Sequence, residues 1–138
     1  MIAFYLLLTA AFCADSSTVT FEIDGLRDND GVVQVLLFTA DSGYPTKFDR
    51  AAHRATAKIE HGHATVALIG VPKGTYAANI WHDADGDGKL GTNIIGMPKE
   101  GVGASNNAKG FMGPPSFEKA SFTVEADVKQ TIEMVYLF

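Results

Sequence analysis

The sequence predicts an all-β fold, a single antiparallel β-sandwich of about seven strands with one long ordered loop. Three observations carry this. Apolar residues recur at every second position through most of the chain, turn residues interrupt the runs at short intervals, and no stretch keeps a helical period.

Taken in order, "STVTFEID" sets Val19, Phe21 and Ile23 on one face and Thr18, Thr20 and Glu22 on the other, as in a half-buried strand. "DNDG" (Asp28 to Gly31) is a turn, because Asn and Asp tolerate left-handed backbone and Gly favours it. "VVQVLLFT" (Val32 to Thr39) is nearly all apolar and reads as a central strand covered on both faces. Ala40 to His53 holds turn residues and a proline, and predicts a loop with one helical turn around Phe48 to Ala52. "RATAKIE" and "HATVALI" flank His61-Gly62, a compact hairpin signal. "VPKG" is a tight turn. "TYAANIWHD" then places Tyr76, Ala78 and Ile80 on one face and Asn79 and Trp81 on the other. "ASFTVEA" and "KQTIEMVYLF", joined at Asp127-Val128, supply two more alternating strands. Phe21, Phe38, Tyr76, Phe122 and Tyr136 fall at strand positions that read as core.

The chain length, 138 residues, suits one domain, and 46% hydrophobic residues suffice for a real core. The formal net charge of -5 argues against nucleic acid, which needs a basic surface. It argues equally against a basic patch on an anionic membrane. Residues 1–14 read as a signal peptide, with an apolar run from Ile2 to Cys13 too short to span a bilayer. No Lys or Arg precedes that run. The domain is then 15–138, exported to the periplasm or the exterior, with no transmembrane segment in the mature chain. Cys13 is the only cysteine, so no internal disulfide forms. Phe12 fits a lipid-anchor motif poorly.

The most informative stretch runs from Trp81 to Phe117. Asp83, Asp85 and Asp87 alternate with small residues, and Gly88 and Leu90 follow. Carboxylates on alternate residues of a tight loop can converge on calcium, a hard cation that takes several oxygens. The twelfth position from Asp83 is Ile94, where an EF-hand loop needs a bidentate glutamate. A bound ion would therefore draw on Asn93, Glu100 or backbone carbonyls. The same residues also write a plain solvated turn. Beyond Gly91 the connection is too long to be a simple link. Its apolar residues need burial, and Asn93, Ser105, Asn106 and Asn107 can bond nearby backbone.

The stretch "HDADGDGKLGTNIIGMPKEGVGASNNAKGFMGPPSFEKASF" resembles the bacterial family known as domain of unknown function 2141. The family's H-D-x-(N/D)-x-(N/D)-G-K-L pattern falls on His82 to Leu90, and its T-N on Thr92-Asn93. Its G-x-P-x-E-G-x-(G/A)-x-S-N-N falls on Gly96 to Asn107, and G-P-P-x-F-x-x-A on Gly113 to Ala120. The resemblance implies an exported protein with an immunoglobulin- or transthyretin-like sandwich, and no established activity.

Three functional readings follow. The first is a non-catalytic binding module that uses the 81–117 loop, stabilised by calcium, toward an envelope protein, a peptide or a glycan. Its candidate contacts are His82, Asn93, Glu100, Ser105, Asn106 and Asn107. The second is a periplasmic hydrolase led by His82, Asp83 and Glu100, and the third a purely structural domain. Ser105, His82 and Asp83 resemble a triad on paper, but adjacent His and Asp on a strand face opposite ways. No nucleophile and base stand in a recognisable pattern. His61 and His63 flank a hairpin glycine and offer a metal pair without a third ligand nearby.

Overall fold

A computed structural model describes residues 16–40, 43–86, 100–110 and 113–136. The apolar N-terminal run, Cys13, Asp87 and Asn93 lie outside the described residues. The elements are β1 (Ser16–Asp24), β2 (Val32–Phe38), β3 (His53–Lys58), β4 (Ala64–Pro72), β5 (Gly74–Asp83), β6 (Val102–Ala104), β7 (Ser121–Val124) and β8 (Val128–Glu133). One helical turn, α1 (Phe117–Ala120), precedes β7, and 3-10 turns occupy Phe48–Arg50 and Ser105–Asn107. The first of those 3-10 turns lies where the sequence places its helical turn.

The strands form the expected sandwich. One sheet has the order β4-β1-β8, the other β3-β2-β5-β6, with β7 also paired to β5. Alternation does the work: Val19, Phe21 and Ile23 of β1 are wholly buried and meet Val33, Val35 and Leu37 of β2, Ile80 of β5 and Ile132 of β8 between the sheets. Each such side chain stabilises the fold by roughly 1.5–3 kcal/mol through removal from water.

Pairing is antiparallel except between β1 and β8, which run parallel from Val19↔Val128 to Asp24↔Glu133. The reason is the route of the chain. β7 belongs to the second sheet, so the turn after it crosses to the first sheet at the end where β1 begins. There Thr18 N–H donates to Asp127 Oδ1 at 2.9 Å.

The predicted β3–β4 hairpin is present only as a turn. His61 (φ 52) and Gly62 (φ 73) both adopt left-handed backbone, as a two-residue hairpin turn requires. Reciprocal bonds between Glu60 and His63 close it, at 2.9 and 3.0 Å. Beyond that pair the strands part, β3 to β2 and β4 to β1. Each strand gains a fuller ladder in its own sheet, and Ile59 and Ala64 are buried at the corner. Residues 59–63 therefore join the two sheets rather than two neighbouring strands.

The second sheet is covered on its outer face as well. Leu36, Phe38 and Trp81 lie under Tyr44, Phe48, Ala51 and Val102. Ala77, Ala104 and Ala120 lie under Tyr44, Ala108 and Phe117. This third layer explains why β2 reads as apolar on both faces. It also confines Tyr44, whose hydroxyl burial raises its pKa to about 12.

Candidate acidic site at the end of β5

The period of two that builds β5 also separates its last two residues. Tyr76, Ala78 and Ile80 point between the sheets, and His82 continues that row. Trp81 and Asp83 take the opposite face. All three of Trp81, His82 and Asp83 are buried, Asp83 completely. The chain then turns at Ala84 to Gly86, with Gly86 N–H donating to Asp83 O at 3.3 Å.

Asp83, Asp85 and Glu100 come together here, with one carboxylate oxygen from each within 4.8 Å of the others. Glu100 Oε2 accepts from Ala84 N–H at 2.8 Å, which fixes it beside the turn. Asp83 Oδ2 accepts from Gln34 Nε2 at 3.2 Å. Gln34 faces Trp81 across the β2–β5 ladder, two residues from Asp83. Such a group of oxygens can hold a metal ion. It contains two of the three alternating aspartates together with the glutamate that the sequence names as an outside donor.

His82 is held by a complete hydrogen-bond chain. Arg27 N–H donates to Tyr136 Oη at 3.0 Å, and Tyr136 Oη is 2.7 Å from His82 Nδ1. His82 Nε2 is 2.6 Å from the Asp30 carbonyl, which can only accept. The bonding is consistent with hydrogen on Nε2 and with Tyr136 donating to Nδ1. Asp28 Oδ1 stands 3.6 Å from Nε2. The Arg27 guanidinium lies 4.2 Å from the centre of the Tyr136 ring. Burial raises the pKa of Tyr136 and keeps its hydroxyl protonated.

Two glycines allow this packing. Gly31 has φ +66, and a Cβ there would stand 1.9 Å from the Asp83 carbonyl oxygen. A Cβ on Gly101 would stand 2.5 Å from the Tyr136 ring. The 25–31 turn thus lies directly against the end of β5, and residue 101 directly against the Tyr136 ring that bonds His82.

Ser105, Asn106 and Asn107 bind the protein's own backbone. Ser105, wholly buried, accepts from Ala78 N–H at 2.9 Å and donates to the Ala120 carbonyl. Asn106 donates to the Lys119 and Ser121 carbonyls at 3.2 and 2.7 Å and exchanges bonds with the Gln130 side chain. Asn107 Nδ2 donates to Thr131 O at 3.0 Å, and its Oδ1 accepts from Glu133 N–H at 2.9 Å. That amide imitates a neighbouring strand along β8. Both asparagines have positive φ, 62 and 51, which asparagine tolerates better than most residues. Asn107→Ala should lower stability by about 1–2 kcal/mol, through two lost bonds and a strained backbone. Thermal melts beside the wild type check this.

Ser105 and His82 are thus each committed to other partners, and the hydroxyl and imidazole share no bond. His63 lies against Glu22 and Asp24 of the first sheet, and among the described residues it forms no metal-holding group with His61. Sequence reasoning passes over Gln34 and Asp30 and reads Tyr136 only as core. Gln34 had a visible signal, since it is the one polar residue in the apolar run of β2.

The molecule is thus a β-sandwich protein with an acidic turn at the end of a central strand. The family model described as "Uncharacterized protein conserved in bacteria (DUF2141)" matches residues 21–133, and the chain belongs to that family. No curated protein and no solved structure matches the chain. Among the described residues, no helix is long and apolar enough to cross a membrane.

Proposed function

We propose that this chain is an exported, non-catalytic binding or structural module whose recognition surface is the 81–117 segment, ordered by calcium. The partner is an envelope protein, a peptide or a glycan. The observation that carries the reading is the convergence of Asp83, Asp85 and Glu100 at the point where that segment leaves β5. Carboxylate oxygens from two places in the chain are the donor set a hard divalent cation uses. An ion there would reinforce the tie between residue 100 and the end of β5 that the Ala84 N–H bond to Glu100 already makes. The apolar run over residues 2–13 supports export.

Calcium titration of the protein by calorimetry, with melts in calcium and in chelator, tests this. Binding should raise the melting temperature, by an amount equivalent to about 2.7 kcal/mol when free calcium is a hundred times Kd. Asp85→Asn should abolish most of the heat while leaving the chelator melt nearly unchanged, because Asp85 is exposed. Absence of heat and of any shift would remove calcium from the reading.

A further inference from the structure

His63 closes the corner that carries the chain from one sheet to the other. Its Nδ1 lies 2.6 Å from Asp24 Oδ1, and its Nε2 lies 2.8 Å from Glu22 Oε2. An ionised carboxylate only accepts. Both contacts are therefore hydrogen bonds only when both ring nitrogens carry hydrogen, that is, in the imidazolium. The charged groups around the ring are Glu22 and Asp24 from β1, with Lys129 Nζ of β8 behind them at 3.6 Å from Glu22 Oε1. β4 contributes the uncharged Thr65, whose hydroxyl donates to Glu22 Oε2 at 2.8 Å and lies 3.3 Å from His63 Nε2.

This arrangement has a second state within reach. A ring that loses one proton to solvent keeps Nδ1–H on Asp24, the shorter contact. The bare Nε2 then faces a carboxylate, which is repulsive. Thr65 can relieve this by turning its hydroxyl hydrogen from Glu22 to Nε2. Glu22 loses two donors in one step and retains Lys129.

We propose that His63 is a proton-operated clamp: doubly protonated, it fastens the β3–β4 corner to β1, and on losing one proton it takes over the Thr65 hydroxyl, releases Glu22 and loosens the corner. The corner in turn holds the 25–31 turn. Leu26 N–H donates to Gly62 O at 3.2 Å, and Gly62 N–H donates to Asn29 Oδ1 at 3.1 Å. Loosening therefore reaches Leu26 and Asn29 as well as residues 60–63.

The direction of titration agrees. The bond to Asp24, then that to Glu22, raises the pKa of His63 above its ordinary 6.5. The bond from Thr65, followed by His63 and Lys129, lowers that of Glu22 below 4.5. The contribution of His63 to stability is complete below 6.5 and is lost as pH rises through its raised folded-state value. That of Glu22 is complete above 4.5 and is lost as pH falls through its lowered folded-state value. The clamp is fully set between those two ordinary values.

The experiment is amide hydrogen exchange on the whole chain, from about pH 5 to about pH 8.5, corrected for intrinsic rates, with the His63 ring followed by NMR. Protection of the Leu26, Gly62 and His63 amides should fall about tenfold as the ring deprotonates, the loss expected for a charge-assisted bond. The amides of β2 and β5 should not follow. His63→Gln should remove the pH dependence, and Glu22→Gln should shift the ring titration downward. Should His63→Gln fail to fold, the Glu22→Gln titration decides alone. A ring that titrates at or below 6.5 overturns the clamp, as does corner protection that is constant with pH or that falls equally in His63→Gln.

Discussion

Trp81→Ala should lower the stability of the domain by about 3–5 kcal/mol, the cost of lost transfer energy plus an unfilled cavity. For a domain stable by about 5–15 kcal/mol, that is at least about a fifth of the total. Trp81 is 1% exposed. Its ring stacks on Phe48 with centroids 4.8 Å apart and planes 15° from parallel. Phe48 belongs to the cover, so the substitution removes a core side chain and one of the anchors of the 43–51 segment together. Urea unfolding followed by circular dichroism should show a lower midpoint with a similar slope. Fluorescence cannot serve, because this is the only tryptophan. Trp81→Phe separates ring from N–H. The indole Nε1 finds no acceptor among the described residues, so phenylalanine keeps the stack, removes a buried donor and should cost less than about 1.5 kcal/mol.

Ser105→Ala should cost about 2–4 kcal/mol, far more than a methyl-sized change suggests. One hydroxyl satisfies the Ala78 N–H on β5 and the carbonyl of Ala120 at the end of α1, both in the interior. Removing it leaves two buried backbone groups without their partner, and each carries a desolvation penalty of about 1–3 kcal/mol. Ser121→Ala is the matching control. That hydroxyl donates to Glu118 O at 2.8 Å in an exposed setting, and its loss should cost less than about 1 kcal/mol. Denaturation midpoints of the two variants, measured together, distinguish a buried stitch from an ordinary surface bond.

Local pattern carries much of this fold. Val19, Phe21 and Ile23 alternate because one side of β1 faces the core, and that is readable without coordinates. For the DADGDG turn the sequence offers Asn93, Glu100 or backbone carbonyls as further donors without choosing among them, and the fold brings Glu100 beside Asp83 and Asp85. What local pattern does not carry is the choice of neighbour. The turn at His61-Gly62 is a true hairpin turn, yet the strands on either side join different sheets. That outcome depends on β2, whose residues lie 16 to 26 positions before their partners in β3, and on β1, whose residues lie 41 to 56 positions before theirs in β4. The same limit hides the Ser105 bonds to Ala78 and Ala120, 27 and 15 residues away, and the bonds of His63 to Glu22 and Asp24, 41 and 39 residues away. The sequence reads Ser105, Asn106 and Asn107 both as contact candidates and as residues that can bond nearby backbone, and which backbone they bond depends on partners outside their own segment.

The parallel pairing of β1 with β8 has a consequence for the birth of the molecule. Thr18 and Asp127 are 109 residues apart, so the central strand of the three-stranded sheet waits for its second neighbour until nearly all of the described chain exists. Non-local closure of this kind makes folding slow, because chain entropy is lost before the contact rewards it. A chain emerging from a ribosome would hold β1 with one edge unpaired for most of its synthesis, and the three-stranded sheet would be complete only when β8 arrives.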